Sequence, residues 1–116
     1  MKKELPKIEI NTQVLTIERP AEDLPPKPFI IIDTGKNSLT FYFGKVYRVL
    51  KRFGEVWLQA RGIFVLDLLR LLTLYGESCS IEEFCLWGEV IRNPYSAMGR
   101  IRNRPCLRVK LTQKTS

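Results

Sequence analysis

The 116-residue chain contains no histidine and only three cysteines, Cys79, Cys85 and Cys106. The missing histidine rules out Ser-His and Cys-His nucleophile pairs, and three thiols fall short of the common four-ligand structural zinc site. Acidic residues are sparse beyond position 34. Glu55, Asp67, Glu77, Glu82, Glu83 and Glu89 form no paired set with an evident pocket, and Ser38 beside Lys36 is better explained as a helix cap than as a nucleophile. We therefore expect no enzymatic activity, no metal and no cofactor. Long apolar runs are also absent. The most apolar stretch, from Ile63 to Tyr75, is interrupted by Asp67 and Arg70 and is shorter than the roughly 20 residues a membrane crossing needs. Met1 to Pro6 is polar, without the charged-then-apolar pattern of a leader, so we expect a cytoplasmic protein with no membrane partner. Free, buried thiols are the expected cysteine state, with a Cys85–Cys106 bridge across paired strands as the minor alternative.

What the chain does have is positive charge, and it is unevenly placed. The formal net charge is +7. Residues 1–34 carry five basic and six acidic groups, whereas residues 35–116 carry fourteen and six. From Ile91 to Ser116 there are seven basic residues, Arg92, Arg100, Arg102, Arg104, Arg108, Lys110 and Lys114, and no Asp or Glu. Such an imbalance points to a polyanionic partner. Within it, Asn93 to Gly99 is rich in turn formers, whereas Cys106 to Leu111 alternates apolar Leu107, Val109 and Leu111 with cations, as a half-buried strand does.

Hydrophobic content of 45% and this length suit one compact domain. Pro20 to Pro28 is a proline-rich spacer, so residues 1–28 read as an N-terminal extension, either an added edge strand or a loosely ordered arm, with the domain spanning 29–116. Phe29-Ile30-Ile31-Ile32 is the apolar run of a strand buried on both faces, ended by the turn cluster Asp33 to Ser38. Leu39, Phe43, Val46, Leu50 and Phe53 then recur at helical spacing until Gly54 stops the helix. Val56 to Ala60 reads as a second strand. A second helix from Ile63 to Tyr75 follows, polar only at Asp67, Arg70 and Thr73, which form one narrow stripe. So apolar a helix has more to bury than one small sheet can cover, which predicts a dimer. Strands over Ile81 to Val90 or Ile91 and over Arg104 to Leu111 complete the order βαβαββ. Phe41, Tyr42, Tyr47, Trp57 and Trp87 read as core or interface positions.

Three segments in this order, Gly35-Lys36 after the first strand, Gly54 to Gly62 (Gly-Glu-Val-Trp-Leu-Gln-Ala-Arg-Gly) at the second, and Arg100-Ile101-Arg102-Asn103 before the last, resemble the Alba superfamily of nucleic-acid-binding proteins over residues 29–113. Archaeal chromatin-type members carry two lysines after the first strand, and this chain supplies Lys36 followed by Asn37. The Arg-Ile-Arg-Asn segment looks more like the Alba-type subunits of ribonuclease P and MRP, which bind RNA as heterodimers.

The resemblance implies an α+β fold, a two-layer sandwich of a mixed four-stranded sheet with two helices on one face. It implies a homodimer, or a heterodimer with another Alba-type chain, that grips DNA or RNA without sequence specificity as a chromatin or ribonucleoprotein component. Lys36 and Arg61 would meet on one rim, with backbone N–H groups from Gly35 to Ser38 available to an anion. The loop from about Asn93 to Arg104 would project as an arm bearing Arg92, Arg100, Arg102 and Arg104, and Gly62 would permit close packing where strand gives way to helix. The competing reading is a protein-protein scaffold subunit whose basic tail is incidental.

Overall fold

The computed structural model describes residues 14–92 and 101–114, side chains being described for 16–91 and 103–114. Eight segments are regular. In order they are β1 (Val14–Thr16), β2 (Phe29–Ile31), α1 (Leu39–Phe53), β3 (Glu55–Arg61), α2 (Phe64–Tyr75), a 3-10 turn (Gly76–Ser78), β4 (Cys79–Arg92) and β5 (Ile101–Gln113). The sheet order is β1-β4-β5-β3-β2. The outer pairs β1–β4 and β2–β3 are parallel, and β5 runs antiparallel to both β3 and β4. This is the expected α+β sandwich, a mixed four-stranded βαβαββ sheet with two helices, to which residues 14–16 add a fifth strand at one edge.

Alternation along the strands decides which face the helices cover. On β3, Val56, Leu58 and Ala60 are completely buried, and their partners Leu111, Val109 and Leu107 on β5 are buried with them. These six form the floor on which Tyr42, Val46 and Leu50 of α1 and Leu68, Leu71 and Tyr75 of α2 pack as one cluster. Fully burying a leucine such as Leu58 or Leu68 is worth about 1.5–3 kcal/mol. The helices are pinned to each other at Tyr75, whose ring stacks on Phe43 at 4.9 Å and whose hydroxyl donates to the Phe43 carbonyl at 2.8 Å.

Local signals set the helix ends. Ser38 Oγ accepts from the Phe41 N–H at 3.2 Å and caps α1, while Gly54, at φ 76°, returns its N–H to the Leu50 carbonyl. Gly62 lies at φ 61° in the turn from β3 to α2, and a Cβ there would meet the aliphatic part of Arg104 at an ordinary 3.4 Å, so the left-handed backbone rather than close packing calls for glycine.

The other face of the sheet is not left to water. Residues 18–28 run across it as a strap. Arg108 Nη2 donates to the Glu22 carbonyl at 2.7 Å and Arg108 Nε to Gln59 Oε1 at 2.7 Å. Gln59 Nε2 and Arg61 Nη2 both donate to the Asp23 carbonyl, at 3.0 and 3.3 Å. The Cys85 thiol donates to the Glu18 carbonyl, and Pro25 is buried. Arg108 is only 6% exposed and lies over the Trp87 ring. Arg108, which alternation points outward on β5, is thus enclosed by the proline-rich segment.

All three cysteines are free thiols. In the β4–β5 ladder Cys85 stands opposite Arg108 and Cys106 opposite Trp87, so the two are not cross-strand partners, and the Cys85–Cys106 bridge is corrected to two separate thiols. Burial pushes all three thiols up from the ordinary range.

Candidate nucleic-acid interface

β3 ends at the row Arg61–Cys106, and β1 reaches β4 only at residues 83–85, whereas β4 and β5 stay paired out to Arg92 opposite Ile101. From Gly88 onward the hairpin is therefore a two-stranded ribbon extending beyond the sheet. Its strands run further than the sequence periodicity indicates, because cross-strand pairing continues where the apolar alternation has ended. The turn-forming residues 93–100, with Arg100, Tyr95 and Met98, lie outside the described residues. Arg92 and Arg102 occupy backbone positions at the far end of the ribbon, Arg102 opposite Ile91, and their side chains lie outside the described set.

At the root of this ribbon Arg61 and Arg104 converge on one carboxylate. Arg104 Nη2 lies 2.5 Å from Glu89 Oε2, and Arg61 Nε lies 3.8 Å from Glu89 Oε1. Pairing explains the geometry: Glu89 stands directly opposite Arg104 on β4, and Arg61 on β3 is two rows away, opposite Cys106, and so on the same face. The Arg104 hydrogen bond, reinforced by the charges of both guanidinia, holds the Glu89 carboxyl below the usual carboxylate range. Two cations against one anion leave the cluster net positive. The buried Nε–H groups of Arg61 and Arg104 have no hydrogen-bond acceptor.

Lys36 sits in the turn between β2 and α1, exposed and without an ion pair among the described residues. This turn and the one after β3 occupy the same edge. Ile32 N–H bonds the Gln59 carbonyl at 2.9 Å, Thr34 Oγ1 donates to Asp67 Oδ2 at 2.6 Å, and Gly35 lies beside the Phe64 ring. Lys36 and Arg61 therefore belong to neighbouring turns of one rim. The Arg61 side chain reaches toward Glu89 and the Asp23 carbonyl.

The expectation that the backbone N–H groups of this turn await an anion is corrected. Asp33 already takes those of Gly35 (through Oδ1, 3.0 Å), Lys36 (through its carbonyl, 3.0 Å) and Asn37 (through its carbonyl, 3.3 Å). A built-in carboxylate and carbonyl take these three groups, and the exposed Lys36 ammonium is what the turn offers to an anion.

The remaining tail cations divide. Arg108 is the buried clamp of the strap, and desolvation lowers its pKa from the ordinary arginine value. Lys110 pairs with Glu55 at 3.2 Å. Missed from sequence was the outer face of α1, where Phe41 and Tyr47, read as core or interface positions, are 43% and 48% exposed among Lys45, Arg48, Lys51 and Arg52. The absence of any acidic residue from Leu39 to Phe53 was the available signal.

On α2, Ile63, Leu66, Leu69 and Leu74 are exposed, while the polar stripe is occupied locally: Asp67 accepts from Thr34 and pairs with Arg70 at 3.6 Å, and Thr73 bonds the Arg70 carbonyl. The apolar surplus foreseen for this helix exists. No helix among the described residues is long and apolar enough to cross a membrane.

Layer order, strand directions and the long β4–β5 hairpin together define an Alba-like fold. Among solved structures, Alba from Thermoplasma volcanium matches with a TM-score of 0.57 and 14% sequence identity, over 73% of this chain and 99% of that one. No protein-family model and no curated protein sequence matches the chain.

Proposed function

We propose that the protein binds the sugar-phosphate backbone of DNA or RNA as a dimer, a homodimer or a heterodimer with another Alba-type chain, within chromatin or a ribonucleoprotein particle in the cytoplasm. Residues 29–116 form the binding domain and residues 1–28 an extension, of which residues 18–28 brace the domain. The observation that carries this reading is the Arg61–Glu89–Arg104 cluster at the root of a ribbon whose only acidic residue is Glu89, the sequence from Val90 onward having no Asp or Glu, so that cationic charge exceeds the one carboxylate set against it. A phosphate can take the place of the carboxylate, because an arginine fork offers two parallel donors to either group. Lys36 on the adjoining turn and Arg92 and Arg102 at the far end of the ribbon extend the basic track, and Arg100, next in sequence to the ribbon, is proposed to join it. Lys36, Arg61 and Arg104 offer charge to phosphates rather than a pattern matched to a base edge, so affinity is backbone-driven and weakly sequence-selective. The exposed leucines of α2, with Ile63, form the dimer face, since four large apolar side chains left on one helix surface are costly in water even with Arg70 and Thr73 among them.

Salt titration of binding to duplex DNA and duplex RNA is the test. Each neutralised phosphate contributes about 0.9 to the log–log slope on B-DNA, so engagement of most of the six basic positions gives a steep dependence. Lys36→Ala combined with Arg61→Ala reduces that slope by about 2 without unfolding the protein. A slope near zero, or affinity unchanged in the double variant, overturns the reading. The scaffold reading, favoured by the same exposed α2 strip, predicts no retention on a nucleic-acid column at moderate salt.

A further inference from the structure

The outer face of α1 carries charge that neither the fold nor the rim uses. Leu39–Phe53 contains Lys45, Arg48, Lys51 and Arg52 and no acidic residue. All four side chains are exposed, and none is in an ion pair among the described residues. Lys51 and Arg52 lie in the last turn, where the helix dipole favours cations. Lys45 and Arg48 lie mid-helix, where it does not. Arg48 has like-charged neighbours at three or four residues in Lys45, Lys51 and Arg52, a spacing at which repulsion destabilises a helix. A surface helix that only had to be solvated would interleave glutamates here.

The face also has a shape. Gly44 stands mid-helix, and its neighbours at three and four residues are Thr40, Phe41, Tyr47 and Arg48. A Cβ at Gly44 would meet only Arg48 Nη1, at 3.6 Å. The glycine therefore forms the floor of a shallow depression walled by two exposed aromatic rings and a guanidinium. Lys45 lies over the Phe41 ring at 6.0 Å and Lys51 over the Tyr47 ring at 5.5 Å, so each ring already has a cation beside it. Exposed rings interleaved with cations along one track are what a single strand of nucleic acid needs, rings to stack bases and cations to follow phosphates.

We infer that the outer face of α1 binds a single-stranded segment of nucleic acid, with phosphates on Lys45, Arg48 and Arg52 and a base stacked over Gly44 against Phe41 or Tyr47. This rests on the proposed backbone binding at the rim and extends it: a duplex end held by rim and ribbon would continue as a single strand along the helix. The natural target is then a junction of paired and unpaired nucleic acid rather than an uninterrupted duplex.

The experiment compares a blunt duplex with the same duplex bearing a thymine overhang of about ten nucleotides, a length within the site sizes of single-strand binders. For the unaltered chain the overhang tightens binding about tenfold or more, which stacking of even one base supplies. In the Arg48→Ala, Arg52→Ala double variant that gain disappears and the salt slope on the overhang probe falls by about 1.4, two phosphates at about 0.7 each on a single strand. Gly44→Gln fills the depression without changing charge, so it loses the gain while keeping the slope. Both variants bind the blunt duplex as the unaltered chain does. No gain from the overhang in the unaltered chain, or a gain that survives both variants, overturns the inference and leaves the proposed function standing. So does an oligoglutamate peptide that competes as well as oligothymidylate, which would mark the face as a site for acidic protein. A chain that binds neither probe overturns the proposed function first.

Discussion

The strand face of β5 and the outer face of α1 carry comparable positive charge and dispose of it in opposite ways. On β5 every described cation has a partner: Arg104 has Glu89, Arg108 has Gln59 and the strap, Lys110 has Glu55. On α1 four cations stand beside one another without an acidic partner. A count of basic residues ranks the acid-free tail as the more available surface. Pairing reverses that ranking for the described side chains of β5, because availability depends on what the fold places opposite each charge.

Replacing Arg108 tests the comparison most severely. Arg108→Met removes the donor to the Glu22 carbonyl and to Gln59 Oε1 in a nearly dry setting, and each buried acceptor left unsatisfied costs about 1–3 kcal/mol. Denaturant titration should show a loss of about 2–4 kcal/mol, whereas the same change at exposed Arg48 moves stability by less than about 0.5 kcal/mol. Equal effects at the two positions would erase the distinction between clamped and free cations.

Glu89→Gln is expected to act next most strongly, and in two directions. Loss of the charge-assisted bond to Arg104 lowers stability by about 1.5–3 kcal/mol. Nucleic-acid affinity rises, and the salt slope steepens by about 1, because a guanidinium is released to phosphate. The pH dependence has a definite sign. With the folded-state pKa of Glu89 depressed, its stabilisation is complete above the ordinary carboxylate value of 4.5 and is lost as pH falls below it through the folded value. The Gln variant should lack that acid-side decline.

The smallest effect belongs to α1. Gly44→Ala has room for its Cβ and should stabilise the protein by up to about 1 kcal/mol, the helix-propensity difference between the two residues. Thermal unfolding measures it directly. A destabilised variant would mean that the depression over Gly44 is closed by packing rather than open to a ligand.

How far the sequence reveals this molecule follows from how local each signal is. The βαβαββ order was readable because Leu39, Phe43, Val46, Leu50 and Phe53 repeat at helical period and Leu107, Val109 and Leu111 alternate. Capping by Ser38, the stop at Gly54 and the turn at Gly62 are equally local, and all three hold. The apolar surplus of α2 was readable from composition alone. The strap was not. Proline spacing excludes helix and central strand but says nothing about a docking site, and the Arg108 clamp joins residues 86 positions apart. Glu89 as the shared partner of Arg61 and Arg104 depends on strand register, which alternation by itself does not fix. Asp33 closing its own turn could have been foreseen, because an aspartate two residues before a glycine commonly bonds the backbone ahead of it.

The strap also imposes an order on the birth of the molecule. Residues 18–28 leave the ribosome before the side chains that hold them, which lie on β3, β4 and β5, with Arg108 the latest of these. Closing so long a loop comes late on entropic grounds as well. A segment synthesised before the strands that hold it is therefore late to find its place, and a nascent chain halted before β5 would hold residues 18–28 undocked and open to proteases.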